Sequence, residues 1–472
     1  MMRTMTWLLF CVCLSASAIA QCTLMYQVPG FTPTQPIVTM ERRPMGQLLV
    51  LGEGDFAERN ANGWVPLTQA FWFPGDLGAA PNGDVYVTGS HLTTELVCTY
   101  HPYFGTTCTS QWIIYGLGVH AANGSWTYDH TTASGGWVEA MTDGTIVYYA
   151  GGWHAQPPAP GLSSLADIPR RAAAHPEGGL VVLTNLELHR WANGSWSTLG
   201  AADFDGLPRM LSVTTGGEVV AAGGFTSVNA NPIGSIARFD GTSWHSLGAT
   251  NGGEINDIAE LPNGDLVAAG SFSSIGGVAA NHIARWDSST WSAIGSGTDG
   301  TINALAWADG SLWLGGDFTT ADGLPSPNLA RITSSCPATA VMTGVGCAGT
   351  NGVDMVEPME FPWFNGVYLS HASSLPTTAI AVSVYGLTQT SLPLSIALPQ
   401  ALPGCDLQVV PVVTQIGLVV DGTFDDELQI GGSTMFVGQS LFHQVIAVGF
   451  DANGQIQEIT SSNVLALTIG DF

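Results

Sequence analysis

Histidine and aromatic side chains are concentrated between Ser90 and Pro169, and these residue types bind metal ions or offer flat rings for stacking. The eleven histidines of the chain show no ligand spacing such as His-Glu-x-x-His, so we assign no metal ligands. The stretch therefore predicts a ligand-binding surface rather than a metal centre. The residues that we assign to this surface are His101, Tyr103, Trp112, Tyr115, His130, Trp153 and His154.

Carboxylates offer a second chemistry, because glycoside hydrolysis uses two carboxyl groups about 5 to 10 Å apart. The sequence offers Asp76, Asp84, Asp129, Glu139 and Asp143 near the irregular blades, but no motif selects a pair among them. Lysine is absent from the chain, which excludes Schiff-base chemistry and a P-loop. We therefore assign no catalytic residues and no cofactor.

A repeated strand pattern must position these side chains. The segment Gly217–Phe225 recurs as Gly264–Phe272 and Gly310–Phe318, at intervals of 47 and 46 residues. Units of this length with four short antiparallel strands are typical of β-propeller blades. We predict seven blades, with six as the alternative because the unit at Gly144 lacks a recognisable last hairpin. The turn glycines of the seven units are Gly46, Gly83, Gly144, Gly179, Gly217, Gly264 and Gly310.

Two further residue types recur in the repeat. Arg238 and Arg285 each precede an aspartate by two positions, Asp240 and Asp287, and Arg331 occupies the same place in the last unit. We expect an ion pair or a carbonyl clamp that joins blades, since a catalytic group is not needed three times. A tryptophan opens the fourth strand of most units, where we expect it to pack between neighbouring sheets. These residues are Trp64, Trp126, Trp196, Trp244 and Trp291.

The last unit stops after Arg331, where its fourth strand should follow. We predict that residues 22–26 supply this strand and close the ring, because closure removes exposed sheet edges. Residues 1–20 have the pattern of a secretory signal peptide, which leaves six cysteines, and an even count in an exported chain favours disulfides. Six cysteines allow fifteen pairings. The predicted architecture favours the pairs Cys22–Cys336, Cys98–Cys108 and Cys347–Cys405.

The predicted organisation is all-β: a signal peptide at 1–20, a propeller at 21–335 and a β-sandwich at 336–472. The last segment contains apolar and alternating strand patterns broken by Gly, Pro and Asp-Gly, such as Ile380–Tyr385 and Val445–Phe450. Within it, Asp421–Glu427 gathers four carboxylates in seven residues. We interpret this cluster as a solvated acidic turn rather than a Ca²⁺ loop, because its spacing fits no known loop.

The charge balance limits the partners. The formal net charge is −26, with eleven arginines against 37 acidic residues, so phosphate-binding surfaces for nucleic acid are not expected. No segment after the signal peptide is apolar over the 18 residues that a membrane helix requires. We expect an extracellular or cell-surface protein whose partner is a carbohydrate or a protein, and the sequence does not indicate an oligomeric state.

The repeat sequence of Ala268–Gly295 resembles the secreted kelch-like propeller repeats of large exported proteins of environmental bacteria. The block from Cys336 to Asp406 resembles the C-terminal domain that these proteins share. The resemblance implies a propeller fold and export, and the family has no assigned activity to transfer. We therefore expect a non-enzymatic binding or surface protein whose irregular second and third blades bind the ligand. The alternative is an extracellular propeller enzyme, a glycan hydrolase or oxidase.

Overall fold

The protein is built of β-strands, with two short 3₁₀ turns and no α-helix in the part that the structure describes. The chain divides into two compact units, residues 26–261 with 265–332, and residues 333–472 with 262–264 and the chain up to Met25. No helix among the described residues is long and apolar enough to cross a membrane. The predicted signal peptide lies outside these residues. The structure, a computed structural model, describes residues 24–27, 31–42, 48–52, 56–60, 63–67, 73–79, 85–101, 105–120, 126–129, 137–141, 145–149, 153–156, 159, 161–165, 167–206, 208–431 and 436–471.

The first strand among the described residues is β1 (Leu24–Gln27), and the first three sheets of the larger unit follow it in the chain. The first sheet contains β2 (Ile37–Arg42), β3 (Leu48–Gly52), β4 (Phe56–Asn60) and β5 (Gly63–Pro66). The second contains β6 (Phe73–Ala79), β7 (Val85–His101), β8 (Gly105–His120) and β9 (Trp126–Asp129). The third contains β10 (Trp137–Ala140), β11 (Ile146–Tyr149) and β12 (Trp153–Gln156).

The next two sheets are more regular, and a 3₁₀ turn, Leu162–Ser164, precedes them. The fourth sheet contains β13 (Arg171–Ala174), β14 (Leu180–Leu183), β15 (Glu187–Ala192) and β16 (Ser195–Ala201). The fifth contains β17 (Pro208–Val213), β18 (Val219–Gly223), β21 (Ile236–Phe239) and β22 (Trp244–Gly248). Two short strands pair with each other between β18 and β21, namely β19 (Ser227–Val228) and β20 (Asn231–Pro232).

The last two sheets repeat this plan. The sixth contains β24 (Ile255–Glu260), β25 (Leu266–Gly270), β28 (Ile283–Trp286) and β29 (Trp291–Ala293), with a ribbon of β23 (Thr250–Asn251), β26 (Ser274–Ile275) and β27 (Val278–Ala279). The seventh contains β30 (Thr301–Ala308), β31 (Ser311–Asp317) and β34 (Leu329–Ser334), with a ribbon of β32 (Thr320–Ala321) and β33 (Leu324–Pro325).

The first strands of the seven sheets contact one another in a closed cycle. β2 lies beside β6, β6 beside β10, and so on through β13, β17, β24 and β30, which returns to β2. Sheets arranged radially in this way form a β-propeller, in which the first strand of each blade lines the centre. We name the strands of each blade A to D outward from the centre.

The second strands explain why the repeat is apolar. In β3, β14, β18 and β25 every residue is buried, because each B strand lies between two neighbouring sheets and is covered on both faces. The A–B turns before them contain Gly217 and Gly264 at φ +83° and +86°, a backbone region that favours glycine. These turn glycines are the ones that the repeat predicts.

The N-terminal strand completes the seventh sheet. The strand order there is β1-β34-β31-β30, so β1 is the outer strand beside β34, as the truncated last repeat predicts. Arg331 donates a hydrogen bond to the side-chain oxygen of Gln27, and Thr333 Oγ1 lies 3.4 Å from the carbonyl oxygen of Met25. Cys336 is disulfide-bonded, but Cys22 lies outside the described residues, so the pairing between them stays a prediction.

Three of the recurring tryptophans join their sheet to the part of the chain before it. The indole Nε1 of Trp196 donates to the carbonyl oxygen of Leu162 at 3.0 Å, and that of Trp244 donates to Ala201 at 3.1 Å. Trp291 is only 6% exposed, and its Nε1 donates at 2.6 Å to the carbonyl oxygen of Leu247. Leu247 lies in the fourth strand of the preceding sheet. Each ring packs in a seam, which accounts for its recurrence.

The smaller unit contains two main sheets and two short strand pairs. Its strands are β35 (Thr339–Thr343), β36 (Ala348–Gly349), β37 (Gly352–Val353), β38 (Met355–Glu360), β39 (Val367–Ser373), β40 (Ala379–Gly386), β41 (Gln389–Pro393), β42 (Asp406–Val409), β43 (Val413–Leu418), β44 (Phe424–Gln429), β45 (Ser440–Phe450) and β46 (Ile456–Thr468). The five-stranded sheet has the order β35-β46-β45-β40-β43, and the three-stranded sheet has the order β38-β39-β44. The short pairs are β36 with β37 and β41 with β42, and a 3₁₀ turn at Leu394–Ile396 lies between β41 and β42.

The two main sheets of this unit share one apolar core. Tyr368 and Leu428 from the three-stranded sheet pack with Val445 and Leu465 from the five-stranded sheet, which is the layering of a β-sandwich. The predicted disulfide between Cys347 and Cys405 is confirmed, with Cα atoms 5.0 Å apart.

We predict that Trp291→Ala lowers the free energy of unfolding by about 3 to 5 kcal/mol, because it removes a buried ring and leaves the Leu247 carbonyl unpaired. Trp291→Phe should cost less, since it keeps most of the packing and loses only the hydrogen bond. Urea unfolding measures both values. The control is Ser292→Ala on the exposed face of the same strand, and an equal loss for this variant would contradict the seam role of Trp291.

Candidate functional site

The irregular parts of the propeller lie at one end of its ring. Successive strands of each sheet are antiparallel, so the B–C connections and the D–A connections between sheets lie at one end, and the A–B and C–D turns lie at the other. We call the first end the B–C face. The extra ribbons β19-β20, β26-β27 and β32-β33 all belong to B–C connections.

A long two-stranded ribbon extends the second sheet at the B–C face. β7 and β8 pair from Val85 and His120 as far as His101 and Gly105. β6 pairs with β7 only as far as Ser90, and β9 pairs with β8 only from Leu117 onward. The paired strands therefore continue for eleven residue pairs beyond their sheet neighbours, from His91 and Tyr115 to His101 and Gly105, a length of roughly 35 Å.

Three of the predicted ligand residues, His101, Trp112 and Tyr115, lie on this ribbon. The backbone register also sets Cys98 directly opposite Cys108, as the predicted disulfide requires. The side chains of these five residues are not among those described. Tyr103 and His130 lie outside the described residues altogether. The backbone of the ribbon therefore contains three of the predicted ligand residues. The contacts that their side chains make with a ligand stay predictions.

The remaining two predicted residues lie in the third sheet and make packing contacts. Trp153 contacts Tyr149 edge-on at 5.7 Å between ring centres and lies 5.4 Å from Trp196 of the next sheet. His154 stacks on the buried ring of Tyr148 at 4.7 Å with an angle of 5° between the planes. Both side chains are half-buried, so each keeps part of its surface for solvent or a ligand.

Sequence reasoning missed a group of three donors at the same face. Asp167 lies in the D–A connection before the fourth sheet, Glu187 opens β15, and His189 follows on the same strand. His189 Nε2 lies 3.5 Å from Glu187 Oε2 and 4.0 Å from Asp167 Oδ2, and the three donor atoms all lie within 4.8 Å of one another. These residues could hold a metal ion. No sequence motif joins them, because the first comes from a different loop.

Other carboxylates of the B–C face are used to fasten loops. Asp205 accepts the backbone N–H groups of Thr226 and Ser227 at 2.8 and 2.9 Å, and these bonds with the Thr226 hydroxyl lower its pKa. Asp299 likewise accepts hydrogen bonds from the backbone N–H and the hydroxyl of Thr319. Burial raises the pKa of Asp299, but these bonds outweigh burial and lower it to about 2. Each carboxylate fixes the B–C connection to the preceding D–A connection.

The recurring arginines form ion pairs at the opposite end, with partners that differ from the expected ones. Arg238 Nη1 lies 3.1 Å from Glu218 Oε2, and Arg285 lies 2.6 Å from Asp265 Oδ2. Each pair lies within one sheet, so the expectation of a link between blades was wrong for these two arginines. Asp240 instead accepts the N–H groups of its own C–D turn at 2.9 Å, because an aspartate readily caps such a turn.

The sandwich unit contains a buried polar cluster between its two sheets. Tyr385 Oη donates to Asp426 Oδ2 at 2.5 Å, and Tyr368 Oη lies 3.1 Å from His443 Nδ1. His443 Nε2 lies 3.4 Å from Ser383 Oγ and 3.6 Å from Asp426 Oδ2. Burial lowers the pKa of His443 to about 3 and raises the pKa of Asp426. The cluster joins the sheets and offers no access to a ligand, since His443 is fully buried.

The position of Asp426 corrects the interpretation of Asp421–Glu427 as a solvated turn. Residues from Phe424 onward form β44, in which Asp426 and Leu428 point into the core. The signal was present in the sequence, because residues two apart on a strand share a face and Leu428 is apolar. Asp425, on the other face, pairs instead with the exposed His371 at 2.6 Å.

Comparisons with known proteins agree with the propeller architecture. A protein-family model described as a domain of unknown function (DUF5122) beta-propeller matches residues 261–289 and 308–335, in the sixth and seventh sheets. The chain is an all-β protein that contains a β-propeller. A sequence search of the curated proteins finds no match.

Solved structures similar to this propeller protein come from several kinds of protein. The extracellular domain of a protein described as a hybrid two component system from B. thetaiotaomicron shares 11% identity and a TM-score of 0.40 over 95% of this chain, which spans 59% of that domain. A copper-bound fungal alcohol oxidase of the AA5 family shares 12% identity and a TM-score of 0.38, covering 94% of this chain and 98% of its own. At such identities the likeness concerns the fold alone.

We predict that His443 makes the stability of the sandwich depend on pH. The folded state keeps the imidazole neutral down to about pH 3, whereas the unfolded chain binds the proton near pH 6.5. The contribution of His443 is therefore complete above pH 6.5 and is lost as the pH falls toward 3. Asp426 acts in the opposite direction, because its raised pKa removes stability as the pH rises.

The measurement is denaturant unfolding of the wild type and His443→Gln at pH 7, 6, 5 and 4. The stability difference between the two proteins should shrink by roughly 3 kcal/mol over this range, since one pKa unit corresponds to about 1.4 kcal/mol. The control is His371→Gln, because His371 is more exposed and belongs to the same unit. A constant difference for His443→Gln would contradict the buried neutral imidazole.

Proposed function

We propose that this chain is an extracellular binding protein without enzymatic activity, whose propeller presents its B–C face to a carbohydrate or a protein. The proposal includes the organisation into a signal peptide at 1–20, a kelch-like propeller at 21–335 and a sandwich at 336–472 that serves as an attachment or interaction module. An extracellular location is supported by the Cys347–Cys405 disulfide, since disulfides persist in oxidising compartments.

The ribbon of β7 and β8 is the observation that carries this proposal. A ring of sheets needs only short B–C connections, such as the Thr184–Glu187 turn of the fourth sheet. Eleven residue pairs beyond the sheet add nothing to the closed cycle of first strands, so their role lies outside the scaffold. Insertions on a rigid scaffold are where binding surfaces concentrate. His101, Trp112 and Tyr115 lie on this insertion.

The electrostatics favour binding over glycoside hydrolysis. A general acid for that reaction needs a carboxyl group with a raised pKa. The described carboxylates of the B–C face that show a clear shift, Asp205 and Asp299, have lowered pKa values because they accept hydrogen bonds from a threonine hydroxyl and from backbone N–H groups. Such groups stay ionised and hold loops in place. The net charge of −26 also favours a neutral or cationic partner over a polyanion.

The test is binding of the purified chain to an array of neutral polysaccharides and basic secreted proteins, followed by affinity measurement on the hits. The triple variant His101→Ala, Trp112→Ala, Tyr115→Ala should weaken a hit at least tenfold, because the ribbon loses its aromatic and imidazole groups. The matched control is Thr242→Ala with Ser289→Ala, two exposed residues in C–D turns at the opposite end of the ring.

The same preparation distinguishes binding from turnover. Incubation with each bound polysaccharide should release no reducing ends and should consume no oxygen. Reducing-sugar release or oxygen consumption would support the alternative of an extracellular hydrolase or oxidase and contradict the proposal. Unchanged affinity in the triple variant would remove the ribbon from the binding surface.

A further inference from the structure

The imidazole of His189 is buried, and its described neighbours do not satisfy the hydrogen-bonding capacity of Nε2. Its side chain is 93% buried, and Nε2 has no hydrogen-bond partner among the residues that the structure describes. The same atom faces two carboxylates, Glu187 Oε2 at 3.5 Å and Asp167 Oδ2 at 4.0 Å. A buried nitrogen without a partner is costly, so its position beside two acceptors calls for a ligand between them. We propose that Asp167, Glu187 and His189 bind a divalent transition metal ion, with zinc as the best match.

The distances differ from those of direct histidine–carboxylate pairs in this chain. His245 Nε2 lies 2.7 Å from Asp240 Oδ2, and His371 Nδ1 lies 2.6 Å from Asp425 Oδ1, both ordinary hydrogen bonds. The His189 distances are about 1 Å longer. Donors bound to one ion at about 2.0 to 2.2 Å are separated by roughly 3 to 4 Å from one another. The spacing around His189 therefore fits ligands of a common ion better than a hydrogen-bonded pair.

The local fold holds the three donors in place. Thr184 and Glu187 close a tight turn, in which Thr184 N–H donates to the Glu187 carbonyl at 2.9 Å. The register between β15 and β16 shifts between Leu188 and His189, where β16 contains the extra residue Leu199. The D–A connection that carries Asp167 is fastened to the same turn, because the backbone N–H of Arg170 donates to Leu183 at 2.7 Å.

The partner of the second ring nitrogen completes the arrangement. His189 Nδ1 lies 3.3 Å from Thr198 Oγ1 on the adjacent strand. When Nδ1–H donates to this hydroxyl, Nε2 presents its lone pair toward the carboxylates, and a metal ion satisfies all three donors together. No described arginine forms an ion pair with Asp167 or Glu187, so the two negative charges have no other counterion in that part of the chain.

The donor set selects the metal. One imidazole nitrogen and two carboxylate oxygens suit zinc better than calcium or magnesium, which prefer oxygen alone. Three protein ligands leave the fourth position of a tetrahedral ion open. Asp167 and Glu187 are exposed, so this position faces solvent on the B–C face and can take a water molecule or an oxygen of a bound molecule. The metal site does not depend on the proposed function.

The experiment is isothermal titration of the full, untagged chain with Zn²⁺ after removal of metals with a chelator. We expect one equivalent to bind, and the melting temperature to rise when zinc is present. His189→Ala should weaken binding at least 100-fold, and Asp167→Asn or Glu187→Gln at least tenfold. Because Asp167 and Glu187 are exposed, their variants keep the test valid where loss of the buried histidine disturbs folding.

The matched control is His245→Ala, which removes an exposed histidine beside a carboxylate on another sheet and should leave zinc affinity unchanged. Titrations with Ca²⁺ and Mg²⁺ should give at least 100-fold weaker binding than Zn²⁺. The proposal is overturned when Asp167→Asn and Glu187→Gln both keep wild-type zinc affinity, or when calcium binds more tightly than zinc. Absence of any zinc binding by the wild type overturns it as well.

Discussion

The pairing of β1 with β34 is the interaction on which the larger unit depends. Without β1, the edge of β34 would stay exposed in the last sheet, and closed rings avoid exposed sheet edges. The seventh repeat supplies only three strands, so the fourth must come from a segment about 300 residues earlier in the chain. Arg331 donates to Gln27 of this added strand, whereas Arg238 and Arg285 pair with acids near the A–B turns of their own sheets.

The scaffold could be predicted from the sequence because its causes are local and repeated. A turn glycine, a fully buried B strand and a tryptophan at the start of strand D recur in each regular unit, and each has one physical role that the structure shows. The closing strand could also be predicted, since a repeat that stops early leaves an edge that must be covered. The local signals are weaker in the third sheet, where the turn at Gly144 marks the unit but no last hairpin is recognisable. The predicted number of blades was therefore less definite there.

The candidate metal site could not be predicted from the sequence, because no spacing rule connects its residues. Asp167 lies twenty residues before Glu187, in a Pro-rich connection, and only the fastening of that connection to the Thr184 turn brings the two together. The burial of Asp426, by contrast, could be predicted from strand alternation, because Asp426 and Leu428 share a face. The neighbouring acids led instead to the interpretation as a solvated turn.

Polar side chains occupy different places in the two units. In the sandwich, Tyr368, Tyr385, Asp426 and His443 satisfy one another inside the core, so their burial fixes how the two sheets face each other. In the propeller the cores described are apolar, and the recurring carboxylates fasten loops at the surface. His189 differs from His443, because it is a buried imidazole whose Nε2 has no partner among the described residues and faces two carboxylates. Packing alone does not require that arrangement, and the proposed metal ion explains it.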